Sequence, residues 1–185
     1  MKYLLDAWLV IVLGIFFGGT LAFVHTTLDA RIKKNQLDET LSQIPSLVPG
    51  ACRGEKVEVP GLTVFKGLRE DGATSGWVIQ ARGQGFADTI QVLIGVDAKA
   101  DAITGLYVLE QKETPGLGDN ITKETWREQF KGKGTAEPLS AVVAAPSGHQ
   151  VKAVTGATIS SVSVCGIVNA AVAKFRERLA ELEKR

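Results

Sequence analysis

The chain opens on an apolar stretch that has no polar side. From Tyr3 to Val24 the one charged residue is Asp6. Roughly 22 residues at about 1.5 Å each reach about 33 Å, enough to cross the hydrocarbon core of a bilayer. The run Leu9-Val10-Ile11-Val12-Leu13 through Phe16-Phe17 leaves no face for water, which argues against a helix of a soluble core. Leu21-Ala22-Phe23-Val24-His25 does not form the small-residue cleavage site of a secretory signal. The pattern predicts a transmembrane anchor over 1–26. Gly14, Gly18 and Gly19 lie about one helical turn apart, which suits close packing on other membrane helices, although glycine is common in such helices anyway. Beyond the span, Leu28, Ile32, Leu37, Leu41 and Ile44 recur at helical spacing. They predict a helical connector over 27–50, stopped by Pro45 and by Pro49-Gly50.

The pattern then shortens its period. Val57 to Val59, Leu62 to Leu68, Trp77 to Ala81, Ile90 to Val96 and Ile103 to Leu109 alternate or are β-branched, and Gly, Asp and Pro separate them. They predict antiparallel strands, with Ile90–Val96 and Ile103–Leu109 joined as a hairpin across the polar turn at Asp97 to Asp101. A helix is predicted over Thr122–Phe130, where Trp126 and Phe130 share a face. Leu139 to Ala145 and His149 to Val154 read as strands again. From Ile159 to Leu182 the apolar positions Val164, Ile167, Val168, Ala171, Val172, Phe175 and Leu179 return to helical spacing, and Glu181 to Arg185 read as a solvated charge run. This order predicts an α+β domain over 51–185, an antiparallel sheet flanked by helices.

Composition narrows the function. With a net charge of +1 in 185 residues, no basic patch and no aromatic-basic alternation, nucleic acid is excluded as a partner. Two cysteines, Cys52 and Cys165, are too few and too far apart for a zinc or iron–sulfur ligand set, and no Cys-x-x-Cys-His haem site occurs. Cys165 reads as core. His25 and His149 are the sole histidines and read as loop or interface residues rather than ligands. No metal site and no catalytic residue are predicted. The Lys and Arg distribution, Lys2 before the span and Arg31, Lys33 and Lys34 after it, would place the domain in the cytoplasm.

Two stretches carry candidate chemistry. In Val154-Thr155-Gly156-Ala157-Thr158-Ile159-Ser160-Ser161 a strand hands over to the last helix, so Thr158 stands at or just before a helix N-terminus, where free N–H groups and the dipole favour an anion. Thr158, Ser160 and Ser161 add hydroxyls, while Gly156 and Ala157 allow close approach to the backbone. An ordinary N-cap would show the same residue types. In Glu110-Gln111-Lys112-Glu113-Thr114-Pro115-Gly116-Leu117-Gly118-Asp119 a Pro-Gly turn and a second glycine bring amides and short polar groups together, as a plain turn also would.

Taken as a pair, Glu-Thr-Pro-Gly-Leu-Gly followed by Thr-Gly-Ala-Thr-x-Ser-Ser resembles the FMN-binding domain family. Within it the chain is similar to the G subunits of Rnf ion-translocating electron transport complexes, relatives of the C subunits of Na⁺-translocating NADH:quinone reductases. The resemblance implies FMN held covalently, its phosphate esterified to Thr158 by a flavin transferase that uses FAD and Mg²⁺. Thr155, Gly156, Ala157, Ser160 and Ser161 would surround the attachment, and Glu113, Thr114, Pro115, Gly116, Leu117 and Gly118 would lie close to the flavin. It implies a redox subunit among other membrane subunits that couple ferredoxin and NAD⁺ oxidoreduction to ion transport. The flavin domain would then lie on the extracytoplasmic side of the bacterial cytoplasmic membrane, against the Lys and Arg count. An anchored flavodomain feeding a separate extracytoplasmic reductase, and a reversible anion-binding module, are the alternatives. The chain departs from the family at Lys152, where an acidic residue is common.

Overall fold

The computed structural model describes residues 7–182. Lys2, Tyr3 to Asp6 and the last part of the charge run lie outside the described residues. The chain divides into two compact units, 1–39 and 40–185. Helix α1 is Trp8–Leu47. In the first unit its apolar side chains stand exposed, Ile15 and Leu21 at 72%, and this segment is long and apolar enough to cross a membrane. A helix with such a surface associates with lipid, because water cannot solvate it favourably on any side.

Pro45 does not end the helix as its residue type predicts; α1 runs on to Leu47. Proline so near a C-terminus removes one N–H from the ladder and disturbs a single turn. The Val48 N–H still reaches the Ile44 carbonyl (2.9 Å), and the chain reverses at Gly50, whose φ is +80°.

The second unit is built on a five-stranded antiparallel meander in sequence order: β1 Arg53–Val59, β2 Leu62–Leu68, β3 Thr74–Gln84, β4 Thr89–Asp97 and β5 Ile103–Glu110. The predicted β4–β5 hairpin is present, with Ile94 opposite Leu106. β1 and β3 are longer than their apolar cores suggest, because ladder pairing carries polar and glycine positions along, as at Gln84 opposite Thr89. β4 lies inside the sheet, and Val92, Leu93, Ile94 and Val96 are all buried. A continuous apolar run of this kind marks a strand covered on both faces.

One cover is helix α3, Thr158–Leu182, whose Val164, Val168, Val172 and Phe175 join Val64, Ile79, Val92 and Ile94 in the larger core. The other is the end of α1, where Ile44, Leu47 and Val48 pack with Phe65, Val78 and Leu93. Each such fully buried side chain contributes about 1.5–3 kcal/mol relative to exposure. Close approach of α1 depends on Gly95, where an added Cβ would sit 2.4 Å from the Leu47 carbonyl oxygen. The Thr104 hydroxyl donates to that same carbonyl at 2.5 Å.

The helix predicted over Thr122–Phe130 is three short turns instead: a 3₁₀ turn Gly118–Thr122, helix α2 Glu124–Arg127 and a 3₁₀ turn Glu128–Phe130. Lys123 sits in extended geometry between the first two, and tertiary contacts set the path. Trp126 and Phe130 meet edge to face at 5.1 Å, and Arg127 donates to the Leu106 carbonyl at 2.8 Å. The last strands, β6 Ser140–Val142 and β7 Gln150–Lys152, form a separate parallel pair.

Candidate functional site

Three turns converge on the start of α3. The first is Thr114-Pro115-Gly116-Leu117, closed by the Leu117 N–H on the Thr114 carbonyl at 3.1 Å, with Gly116 at φ +75°. Proline second and a positive-φ glycine third are what a type II turn demands. Asn120 braces it, its Nδ2 donating to the Gly116 and Leu117 carbonyls at 2.9 Å each. The second is Val154-Thr155-Gly156-Ala157, closed by the Ala157 N–H on the Val154 carbonyl at 2.9 Å, with Gly156 at φ +80°. The third, Gly85 to Asp88, links β3 to β4 through the Gly85 N–H and the Asp88 carbonyl at 2.8 Å.

Between them lies a cleft of about 380 Å³, within the range of small-ligand sites. Glu113, Thr114, Leu117, Gly118, Gly156, Ala157, Thr158 and Ser160 line it together with Phe86 and Ile159. Thr155, Pro115 and Gly116 belong to the same turns, and Ser161 to the first turn of α3, but none of the four is on its wall. Thr158 is the first residue of α3 and is exposed. Its hydroxyl makes no hydrogen bond among the described residues, and the first turn of α3 contains no acidic residue.

The two serines are spent differently from Thr158. Ser161 is fully buried; its Oγ donates to the Ala157 carbonyl and accepts from the Val154 N–H, both at 3.0 Å, which fastens the glycine turn to the helix. Ser160 donates to Glu113 Oε2 at 2.5 Å. Glu113 is 4% exposed, and its Oε1 accepts from the Ala87 N–H at 3.1 Å. One carboxylate thus ties the chain just after β5, the Gly85–Asp88 turn and the first turn of α3 together. Two glycines make room for it, since an added Cβ would lie 2.3 Å from Glu113 Oε1 at Gly85 and 2.8 Å from Glu113 Cβ at Gly118.

Phe86 (60% exposed), Leu117 (46%) and Ile159 (58%) form an apolar rim that water solvates poorly. Sequence reasoning missed Phe86 and Ile159. An aromatic residue in a tight turn between two strands was the available signal for Phe86. Lys152 keeps its side chain exposed while its carbonyl accepts from Trp126 Nε1 at 2.9 Å. His149 stands 3.5 Å from Glu137, away from the cleft. Cys52 is exposed and Cys165 buried, and burial pushes the Cys165 thiol up to about 12.

Residues 85–173 match the family described as FMN-binding domain. The chain is 31% identical over 170 residues to the G subunit of the ion-translocating oxidoreductase complex of Methanosarcina acetivorans, covering 88% of each. The chain belongs to this G-subunit family. It is 32% identical to the G subunit of the Na⁺-translocating ferredoxin:NAD⁺ oxidoreductase complex of Acetobacterium woodii, over 62% of this chain and 56% of that one. The crystal structure of Shewanella oneidensis NqrC superposes with a TM-score of 0.53 at 28% identity, over 65% of this chain and 64% of that one. The resemblance read from the two motifs is borne out, and so is the α+β fold. As a member of this family the chain is an FMN-binding redox subunit of the electron-transfer kind.

The residues present fit FMN. A helix start offers free N–H groups for a phosphate, positive-φ glycines keep the adjoining backbone bare, and the apolar rim suits the faces of a planar ring.

Proposed function

We propose that this chain is a membrane-anchored subunit that carries FMN covalently on Thr158 and relays electrons within an ion-translocating ferredoxin:NAD⁺ oxidoreductase complex. The observation that carries this reading is the position of Thr158: an exposed, unbonded hydroxyl on the first turn of a helix, on the wall of the cleft that the Glu113–Gly118 turn also lines. Residues 1–26 serve as a single-pass anchor and 27–50 as a helical connector. The flavin domain, 51–185, lies on the extracytoplasmic side, and other membrane subunits are its electron partners.

Attachment is a phosphoryl transfer. The Thr158 oxygen attacks the FMN phosphorus of FAD on a flavin transferase, the pyrophosphate bond breaks, AMP leaves and the hydroxyl proton is released. Glu113 explains why a tether is useful. Its buried carboxylate accepts from Ser160 in the first turn of α3 and offsets the positive end of the helix that would attract a free phosphate. A diester carries one negative charge and needs no intrinsic affinity to stay. When bound, the flavin supplies the redox chemistry. The chain's own residues hold its phosphate at the helix start, shape the wall with the two glycine turns, and leave one side open toward a partner.

Intact mass after denaturation tests this reading, on the full chain coexpressed with a flavin transferase. One FMN less water is expected on the native sequence and nothing on Thr158→Ala. An unmodified native chain overturns it.

A further inference from the structure

We propose that Glu113 holds down the reduction potential of the bound flavin by keeping a negative charge with no cation partner in the cleft wall. This rests on the reading that FMN occupies the Thr158 cleft. Buried carboxylates are ordinarily paired with a cation. Glu113 is 4% exposed, and none of the ion pairs among the described residues includes it. Both its oxygens accept hydrogen bonds from neutral donors, the Ala87 N–H and the Ser160 hydroxyl, which is the role of an ionised carboxylate. The 2.5 Å contact to Ser160 is in the range of a charge-assisted O–H···O⁻ bond. The neighbouring Lys112 is turned to Asp88, at 3.1 Å on the surface, and leaves the cleft charge unanswered. Gly85 and Gly118 are bare where any side chain would displace the carboxylate. Together these features preserve a single charge that the shape of the fold alone does not require, since a neutral amide could accept from the Ala87 N–H and donate to the Ser160 hydroxyl oxygen.

Two-electron reduction of the flavin ring takes up two electrons and one proton and leaves one negative charge on the ring. The electrons arrive from one redox subunit and leave to another. A fixed negative charge in the wall of the same cleft disfavours the product relative to the neutral oxidised ring. Glu113→Gln removes the charge and keeps the shape, with the amide oxygen on Ala87 and the amide nitrogen turned to the Ser160 hydroxyl. Glu113→Asp keeps the charge and loses the reach. Ser160→Ala keeps the charge and removes the donor that partly screens it.

The experiment is a spectroelectrochemical titration of the full chain, flavinylated by coexpression with a transferase, with intact mass recorded for every variant. Glu70→Gln in the exposed β2–β3 turn is the control and leaves the potential unchanged. At a fixed electrode potential, Glu113→Gln raises the reduced-to-oxidised ratio about tenfold, equivalent to ~30 mV for a two-electron couple. Glu113→Asp stays within about threefold of the native ratio, and Ser160→Ala lowers it. The inference is overturned if Glu113→Gln carries flavin at the native potential, or if Glu113→Asp shifts as far as Glu113→Gln. Should Glu113→Gln fail to retain flavin, Ser160→Ala decides alone, and an unchanged or raised ratio overturns the inference. A native chain with no flavin mass is a different failure, that of the attachment itself.

Discussion

Two cavities of nearly equal volume lie against α3, about 380 Å³ at its first turn and about 370 Å³ beside Val168 to Ala173. Their polar groups are used in opposite ways. In the second, Asn169 donates to the Leu139 carbonyl and accepts from the Leu139 N–H, both at 2.8 Å, and beside it Arg176 donates to the Thr135 carbonyl of the wall at 3.0 Å. Every one of these groups is committed to holding the 134–139 segment on the helix. At the first turn, among the described residues, Thr158 is uncommitted and Glu113 is buried without a cation. Volume therefore does not separate a ligand site from a packing groove; the fate of the polar atoms does.

The comparison breaks most sharply at Thr158. Thr158→Ala should abolish covalent flavin while leaving stability within about 0.5 kcal/mol, as for other exposed substitutions, read by intact mass and by urea unfolding. Asn169→Ala should do the reverse, costing about 1–3 kcal/mol for the hydrogen bonds lost at Leu139 with flavin attachment unchanged. If it blocked attachment at native stability, the second groove would have a functional role. Gly156→Ala should fall between them, costing about 1 kcal/mol for an alanine forced to positive φ. It should also lower the rate of flavin attachment in a timed transferase reaction, because the turn before Thr158 shifts. The smallest effect at neutral pH concerns the buried face of α3, where a change emerges only in alkali. The Cys165 thiol stays protonated in the fold up to about 12, against 9.0 for an ordinary thiol. The unfolded chain releases that proton first, so stability falls as pH rises from about 9 toward 12. Cys165→Ala should flatten the decline, and at neutral pH a thiol reagent should label exposed Cys52 well before Cys165.

Much of the fold was legible because it rests on periodicity. The five strands, the anchor-like run and the final helix all announce themselves by the spacing of apolar residues, which reflects what each element must bury. Thr122–Phe130 was misread for the same reason in reverse: its two aromatics are four apart, but their burial is dictated by β5 and Lys152 rather than by a helix of their own. The paired motifs identified the family and both glycine turns, since positive φ at Gly116 and Gly156 is a local demand that residue type reveals.

The sequence by itself determined the elements, the family and the candidacy of Thr158, all of which depend on local spacing or on motifs read along the chain. Only the tertiary structure decided that the three turns meet, that Ser160 and Ser161 are bound inward while Thr158 is not, and that Phe86 shares their cleft. It alone shows Glu113 buried without a counter-charge among the described residues, because burial and pairing arise from segments 26 and 47 residues away, whose approach is set by the packing of α3 across the sheet.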